Sequence, residues 1–156
     1  EGGTGSLSAL QQMPDFLPDR LEAGTHNVPG IAGLLAGVRY LQTRGISTVF
    51  EQERQLALLA AECIRGFGDV RVFAEVGLRN QAGVLSVVPE RKDVEEIGAE
   101  LADRGIAVRA GLHCAPMAHR SAGTLETGAV RISFSDFNTR AEVYCFLEEF
   151  RRILSM

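Results

Sequence analysis

Between residues 46 and 156 the hydrophobic period of this chain switches from helical to alternating and back twice, and few folds accommodate that order. Leu56, Leu59, Ala60 and Ile64 recur at the spacing of one helix face. They predict a helix over 47–65, with Ser47 or Thr48 as its cap and Gly66 and Gly68 stopping it. Two short alternating runs follow, 70–73 and 83–88, separated by a turn-rich stretch, and runs that close pair antiparallel. Pro89 ends the second. Residues 93–104 read as a helix with Val94, Ile97 and Leu101 inward and Gly105 behind it. Residues 106–110 and 130–134 read as two more strands. Thr139 is placed to cap a last helix reaching about Leu154, with Val143, Phe146, Leu147, Phe150 and Ile153 on one face. This order predicts an α+β fold, a small, mostly antiparallel sheet with helices on one side.

Upstream, residues 1–30 carry turn formers, among them Pro14, Pro18, Gly24, Pro29 and Gly30, and read as loop with single helical turns. Leu34, Leu35, Val38 and Leu41 then give helical spacing over 31–45, with Gly45 ending the helix. The opening Gly2-Gly3-Thr4-Gly5-Ser6 starts in mid-loop without a methionine and is expected to be the tail of a longer chain.

The net charge is −4 over 156 residues and no run of Lys or Arg occurs, so neither a nucleic-acid footprint nor an attraction to anionic membrane is expected. No stretch approaches the roughly 20 apolar residues of a membrane span. The three cysteines, Cys63, Cys114 and Cys145, are an odd number without metal-ligand spacing. That predicts no disulfide framework, no metal site and a reducing, cytoplasmic setting. Cys63 and Cys145 fall at helical positions and are expected in the core.

Chemistry concentrates in Arg109-Ala110-Gly111-Leu112-His113-Cys114-Ala115-Pro116. A cysteine beside a histidine and near an arginine sits where a thiolate is favoured, and the thiolate is the nucleophile. The competing reading is a small apolar filler in a strand-to-loop turn. His26, His113 and His119 are expected to be hydrogen-bonding groups of loops.

Three stretches in order carry a family resemblance: the Gly2 to Ser6 cluster; Glu22-Ala23-Gly24-Thr25-His26-Asn27 with Pro29-Gly30-Ile31-Ala32-Gly33-Leu34; and Arg109 through Ala115 followed by Arg131. Together they resemble the C-terminal part of a class V aminotransferase-fold enzyme of the cysteine desulfurase or selenocysteine lyase type. The resemblance implies the C-terminal domain of a fold-type I enzyme that uses pyridoxal phosphate and is a homodimer when intact. It places residues 1–45 in the large cofactor domain and dimer interface, and 46–156 in the C-terminal small domain. It implies that L-cysteine or a related amino acid is the substrate and that Cys114 takes its sulfur as a persulfide, leaving alanine, for transfer to an acceptor protein. Arg131 would grip the substrate carboxylate, with Arg109 and His113 beside it, and Gly24 and Thr25 would reach the cofactor phosphate of the neighbouring subunit.

The residues also leave plainer readings open. Arg131 could pair with a local carboxylate such as Asp136, Arg109 could serve only to tether the loop, and Thr25 could belong to an ordinary helix-entry turn with Asn27 as the cap. The family's cofactor lysine lies in a Ser/Gly-x-His-Lys context, whereas the only lysine here, Lys92, opens a helix. The chain alone is therefore expected to hold no covalent cofactor and to be inactive. The run from Ala115 to His119 departs from the commonest desulfurase loops and leaves room for a class V transaminase or another lyase. A stand-alone α+β interaction module is the alternative from a different class.

Overall fold

The structure is a computed structural model that describes residues 9, 12–75, 77 and 79–156; the Gly2 to Ser6 cluster lies outside them. The chain divides into two compact units, Glu1–Arg44 and Gly45–Met156.

In the first unit a single 3-10 turn, Asp19–Leu21, precedes helix α1, Val28–Arg44. Asn27 Oδ1 accepts the Gly30 N–H at 3.0 Å, so Asn27 caps α1 and the helix starts about a turn earlier than its apolar spacing suggests. None of the α1 residues is buried, and Ile31, Leu34, Leu35, Val38 and Leu41 are all exposed.

The second unit holds α2 (Ile46–Arg65), β1 (Val70–Phe73), β2 (Val84–Pro89), α3 (Val94–Asp103), α4 (Pro116–Ala122), β3 (Val130–Ser133) and α5 (Arg140–Ser155). The strands form one antiparallel sheet in the order β1-β2-β3, with Val72 opposite Val87 and Leu85 opposite Ile132. Period-2 alternation sends Leu85, Val87, Val130 and Ile132 to one face. There they meet Leu56, Ala60 and Ile64 of α2, Val94, Ile97 and Leu101 of α3, and the full Val143, Phe146, Leu147, Phe150, Ile153 stripe of α5 in one core. The opposite face carries Phe73, Ser86 and Arg131 in a row, since residues directly opposite one another share a face.

Local chemistry explains most of the ends. Thr139 Oγ1 accepts the Glu142 N–H while the Glu142 carboxylate accepts the Thr139 N–H, a closed capping box at the start of α5. The carboxylate pKa of Glu142 is lowered by that backbone bond and by the Thr139 hydroxyl. Gly105, at φ 75°, follows α3 and lets the Ile106 N–H return to Leu101 O at 2.9 Å.

Four expectations need correction. Gly45 precedes α2 with no side-chain cap, so Ser47 and Thr48 lie inside the first turn. Residues 106–110 form only a bridge to β3 at Arg109, because beyond it residues 106–108 part from β3 around a cleft of about 410 Å³. The connection after Cys114 contains α4, which starts on Pro116 and ends at left-handed Gly123. Cys145 is exposed rather than in the core, and Cys63 is half-buried against it.

Phe150 is fully buried, stacked on Phe146 at 5.4 Å and near Phe67 at 6.4 Å. Phe150→Ala is expected to cost about 3–5 kcal/mol in chemical denaturation, because it leaves a cavity in the core. A second prediction concerns Glu51 on α2. It receives both prongs of Arg54 at 2.7 and 2.8 Å and an N–H from Gln55, while Arg54 Nη1 holds Gly77 O at 2.8 Å. The Arg54 bonds first, then Gln55, lower the Glu51 pKa from 4.5 to about 2. A carboxylate depressed on folding contributes stability that is present above its unfolded pKa and is lost as pH falls through its folded one. Melting temperature should therefore fall between about pH 4.5 and about pH 2, and less steeply in Glu51→Gln. An equally steep fall in that variant would contradict the assignment.

Candidate active site

The second unit brings Arg109, His113, Cys114 and Arg131 into one neighbourhood through backbone bonds. Arg109 N–H donates to Arg131 O at 3.0 Å and Arg131 N–H donates back at 2.7 Å. Two residues on, Gly111 and Ala129 exchange both bonds at 3.1 Å. These two rungs weld the thiol loop to β3. Gly111 and Gly128 have φ of 96° and 66°, and a Cβ on Gly128 would stand 2.9 Å from the Gly111 Cα, so here the two loops touch backbone to backbone.

Beyond Gly111 the chain makes a tight turn, closed by the Ala115 N–H on Leu112 O at 2.8 Å. Its two central residues are His113 and Cys114, at φ 53° and 55°. Consecutive left-handed residues at the centre of a four-residue turn define the I′ pattern, which glycine and asparagine favour; histidine and cysteine adopt it at a cost. The turn leaves the Cys114 residue exposed. Strain of this kind gathers where a side chain is being presented.

His113 does not hydrogen-bond Cys114. Its Nε2 lies 3.1 Å from Arg109 O, and its ring stands 5.6 Å from that of His119. His119, which the sequence reading places in a loop, is a buried residue of α4 with Nδ1 2.7 Å from Thr124 Oγ1. Sequence reasoning missed α4 because only one of its residues is buried and that residue is polar. Pro116 at its first position and Gly123 behind it were the available signals.

Arg109 and Arg131 are opposite partners of an antiparallel bridge, so both guanidinium-bearing side chains leave the same face of the sheet. No ion pair of either arginine is seen among the described residues, and Arg131 Nε is buried without a hydrogen-bond partner. Two adjacent cations without a counter-ion are a receptor for an anion, and a planar fork suits a carboxylate.

Gly24 and Thr25 lie in the first unit, in an exposed turn before α1, with Gly24 at φ 81° and open space where its Cβ would be. No hydrogen bond engages the backbone N–H of either residue or the Thr25 hydroxyl among the described residues. This donor set suits a phosphate. Lys92, by contrast, is engaged 3.5 Å from Glu100 of α3. Among the described residues no cluster of three or more His, Cys, Asp or Glu could hold a metal, and no helix is long and apolar enough to cross a membrane.

Comparison with known proteins identifies the family and the fold. A family model described as aminotransferase class-V matches residues 3–146. A probable cysteine desulfurase of Mycolicibacterium paratuberculosis is 38% identical over 145 residues, which cover 93% of this chain and 20% of that protein. A cysteine desulfurase of Escherichia coli O8 is 33% identical over 160 residues, 98% of this chain and 37% of its own length. The apo structure of a cysteine desulfurase from Thermococcus onnurineus NA1 superposes with a TM-score of 0.80 at 33% identity, covering 88% of this chain and 34% of that one. The chain thus spans well under half the length of the relatives it matches. With nearly all of its residues inside the family match and its thiol loop, arginine pair and sheet arranged as described, this chain belongs to the class V aminotransferase family.

Proposed function

We propose that this chain is the sulfur-accepting C-terminal part of a cysteine desulfurase that uses pyridoxal phosphate. The observation that carries the reading is the pairing of an exposed thiol on a constrained turn with two arginines, not ion-paired among the described residues, across the bridge between Arg109 and β3. A reaction that needs both a carboxylate grip and a nearby sulfur acceptor uses both groups; plain amino transfer has no use for the thiol.

The roles follow from donor chemistry. Arg131 binds the carboxylate of L-cysteine through its guanidinium group, and Arg109 adds charge from the same sheet face. Cys114 Sγ attacks the substrate sulfur. The new S–S bond forms as the substrate Cβ–S bond breaks, its electron pair stays with Cβ, and protonation there leaves alanine. His113 holds the Arg109 carbonyl and so fixes the turn from which Cys114 acts. Gly24 and Thr25 fit the cofactor phosphate, while no group of the described residues fits the carbonyl anchor, Lys92 being engaged with Glu100. When bound, pyridoxal phosphate supplies the electron sink that weakens the bonds at the substrate Cα and Cβ.

The exposed apolar stripe of α1 favours a chain that works within a larger assembly over a stand-alone module, since a helix with Ile31, Leu34, Leu35 and Val38 largely in water lacks the cover that makes helices stable. The cover is the cofactor domain and the second subunit of a homodimer, in the cytoplasm.

In the intact enzyme, Cys114→Ala is expected to abolish persulfide formation and to slow sulfide release from cysteine by about a hundredfold or more, since the nucleophile is gone. Unchanged sulfide release would refute the assignment. Arg131→Lys keeps the charge but loses the fork. It should raise KM for cysteine about tenfold or more, with a smaller effect on kcat. A KM unaltered by this change would remove Arg131 from the carboxylate site.

A further inference from the structure

His119 and Thr124 are the only buried polar residues among the described ones, at 8% and 2% exposure, and no step of the reaction above uses either. Burying a polar pair has a cost that hydrogen bonding only offsets, so its position matters. Thr124 follows the left-handed end of α4, where its N–H returns to His119 O at 2.9 Å, and its Oγ1 lies 2.7 Å from His119 Nδ1. Two bonds therefore clamp His119 to the residue just past its own helix. The clamped ring faces His113 at a centroid distance of 5.6 Å and a tilt of 45°, within the range of an attractive aromatic pair. The His113 ring in turn reaches the Arg109 carbonyl, which itself accepts the Arg131 N–H.

We propose that His119, locked by Thr124, is a positioning residue for Cys114, acting through the His113 ring to hold the left-handed turn that presents the thiol. Resting on Cys114 as the reactive thiol, the proposal adds a buried buttress behind it. Left-handed His113 and Cys114 are disfavoured conformations, and the His113 side chain has two external supports, Arg109 O and the His119 ring. Removing the second support releases the turn to right-handed conformers in which Cys114 is no longer presented. His119 touches neither substrate nor sulfur in this scheme.

The test is the rate of iodoacetamide alkylation at each cysteine of the whole chain, read by mass spectrometry of the peptides. Exposed Cys145 serves as the internal standard and half-buried Cys63 reports unfolding. Thr124→Val deletes the hydroxyl at constant shape. It is expected to lower the Cys114-to-Cys145 rate ratio about fivefold, the population effect of losing one hydrogen bond. His119→Phe keeps a ring against His113 without the bond to Thr124 and should fall between the parent and Thr124→Val. Thr124→Ser, which keeps the hydroxyl, should restore the ratio to within about twofold of the parent, a margin well below that loss. An unchanged ratio in Thr124→Val, a ratio in Thr124→Ser as low as in Thr124→Val, or a loss in Thr124→Val matched by a rise at Cys63 would each overturn the proposal. Alkylation needs no turnover of cysteine, so failure of the desulfurase reading, seen in the Cys114→Ala enzyme, stays separate from failure here.

Discussion

The geometry of the thiol loop hangs on two backbone rungs, Arg109 with Arg131 and Gly111 with Ala129. β3 is anchored in turn by its register with β2, whose Leu85 and Val87 are fully buried over α2, α3 and α5. A chain of rigid elements therefore runs from the core to residue 111, and the turn carrying Cys114 begins where it ends. The contact between Gly111 and Gly128 shows how little slack remains. A methyl group on Gly128 would meet the Gly111 Cα, carbonyl carbon and oxygen within 3.1 Å, and backbone atoms cannot rotate away as a side chain would.

The same rungs set the electrostatics. Bridge partners share a face, so the register that fixes the loop also brings two arginines side by side. Like charges at that spacing oppose folding, and a sequence selected only for stability would set a carboxylate between them. None is paired there among the described residues, and the Arg131 Nε is buried without an acceptor. Two neighbouring guanidinium groups are thus a local cost of the fold that an anion held between them would offset.

The sequence made the core legible because its signals are periodic. The five inward residues of α5, the three of α3 and the alternation in β2 and β3 are repeated choices that one element must satisfy together. The Thr139 capping box was legible for the same reason, two residues at a fixed offset. The residues around the thiol were less so. Residues 106–110 alternate like a strand, but only Arg109 is held as one, because pairing depends on whether β3 runs alongside, and residues 106–108 diverge from it. His119 is polar inside a seven-residue helix, so its burial follows from Thr124 and His113, partners that no spacing rule connects. Cys145 misled in the opposite direction: its helical position was right, but it sits beside the buried stripe, one residue from Phe146.

The residues chosen for the turn sharpen the physical argument. Glycine at position 113 would adopt φ 53° without strain, and a turn optimised for stability would use it. Histidine there costs about 1–2 kcal/mol in backbone conformation. What it returns is a side chain bound at one end to Arg109 O and flanked by the His119 ring, so the turn is held through side-chain contacts as well as its own backbone. Glycine would relax the strain and also unlock the turn, since a residue free in both halves of φ space holds neither. The strain at His113 thereby serves its neighbour: a thiol on a rigid, slightly unfavourable turn keeps its direction, whereas one on a relaxed loop spends its time among several.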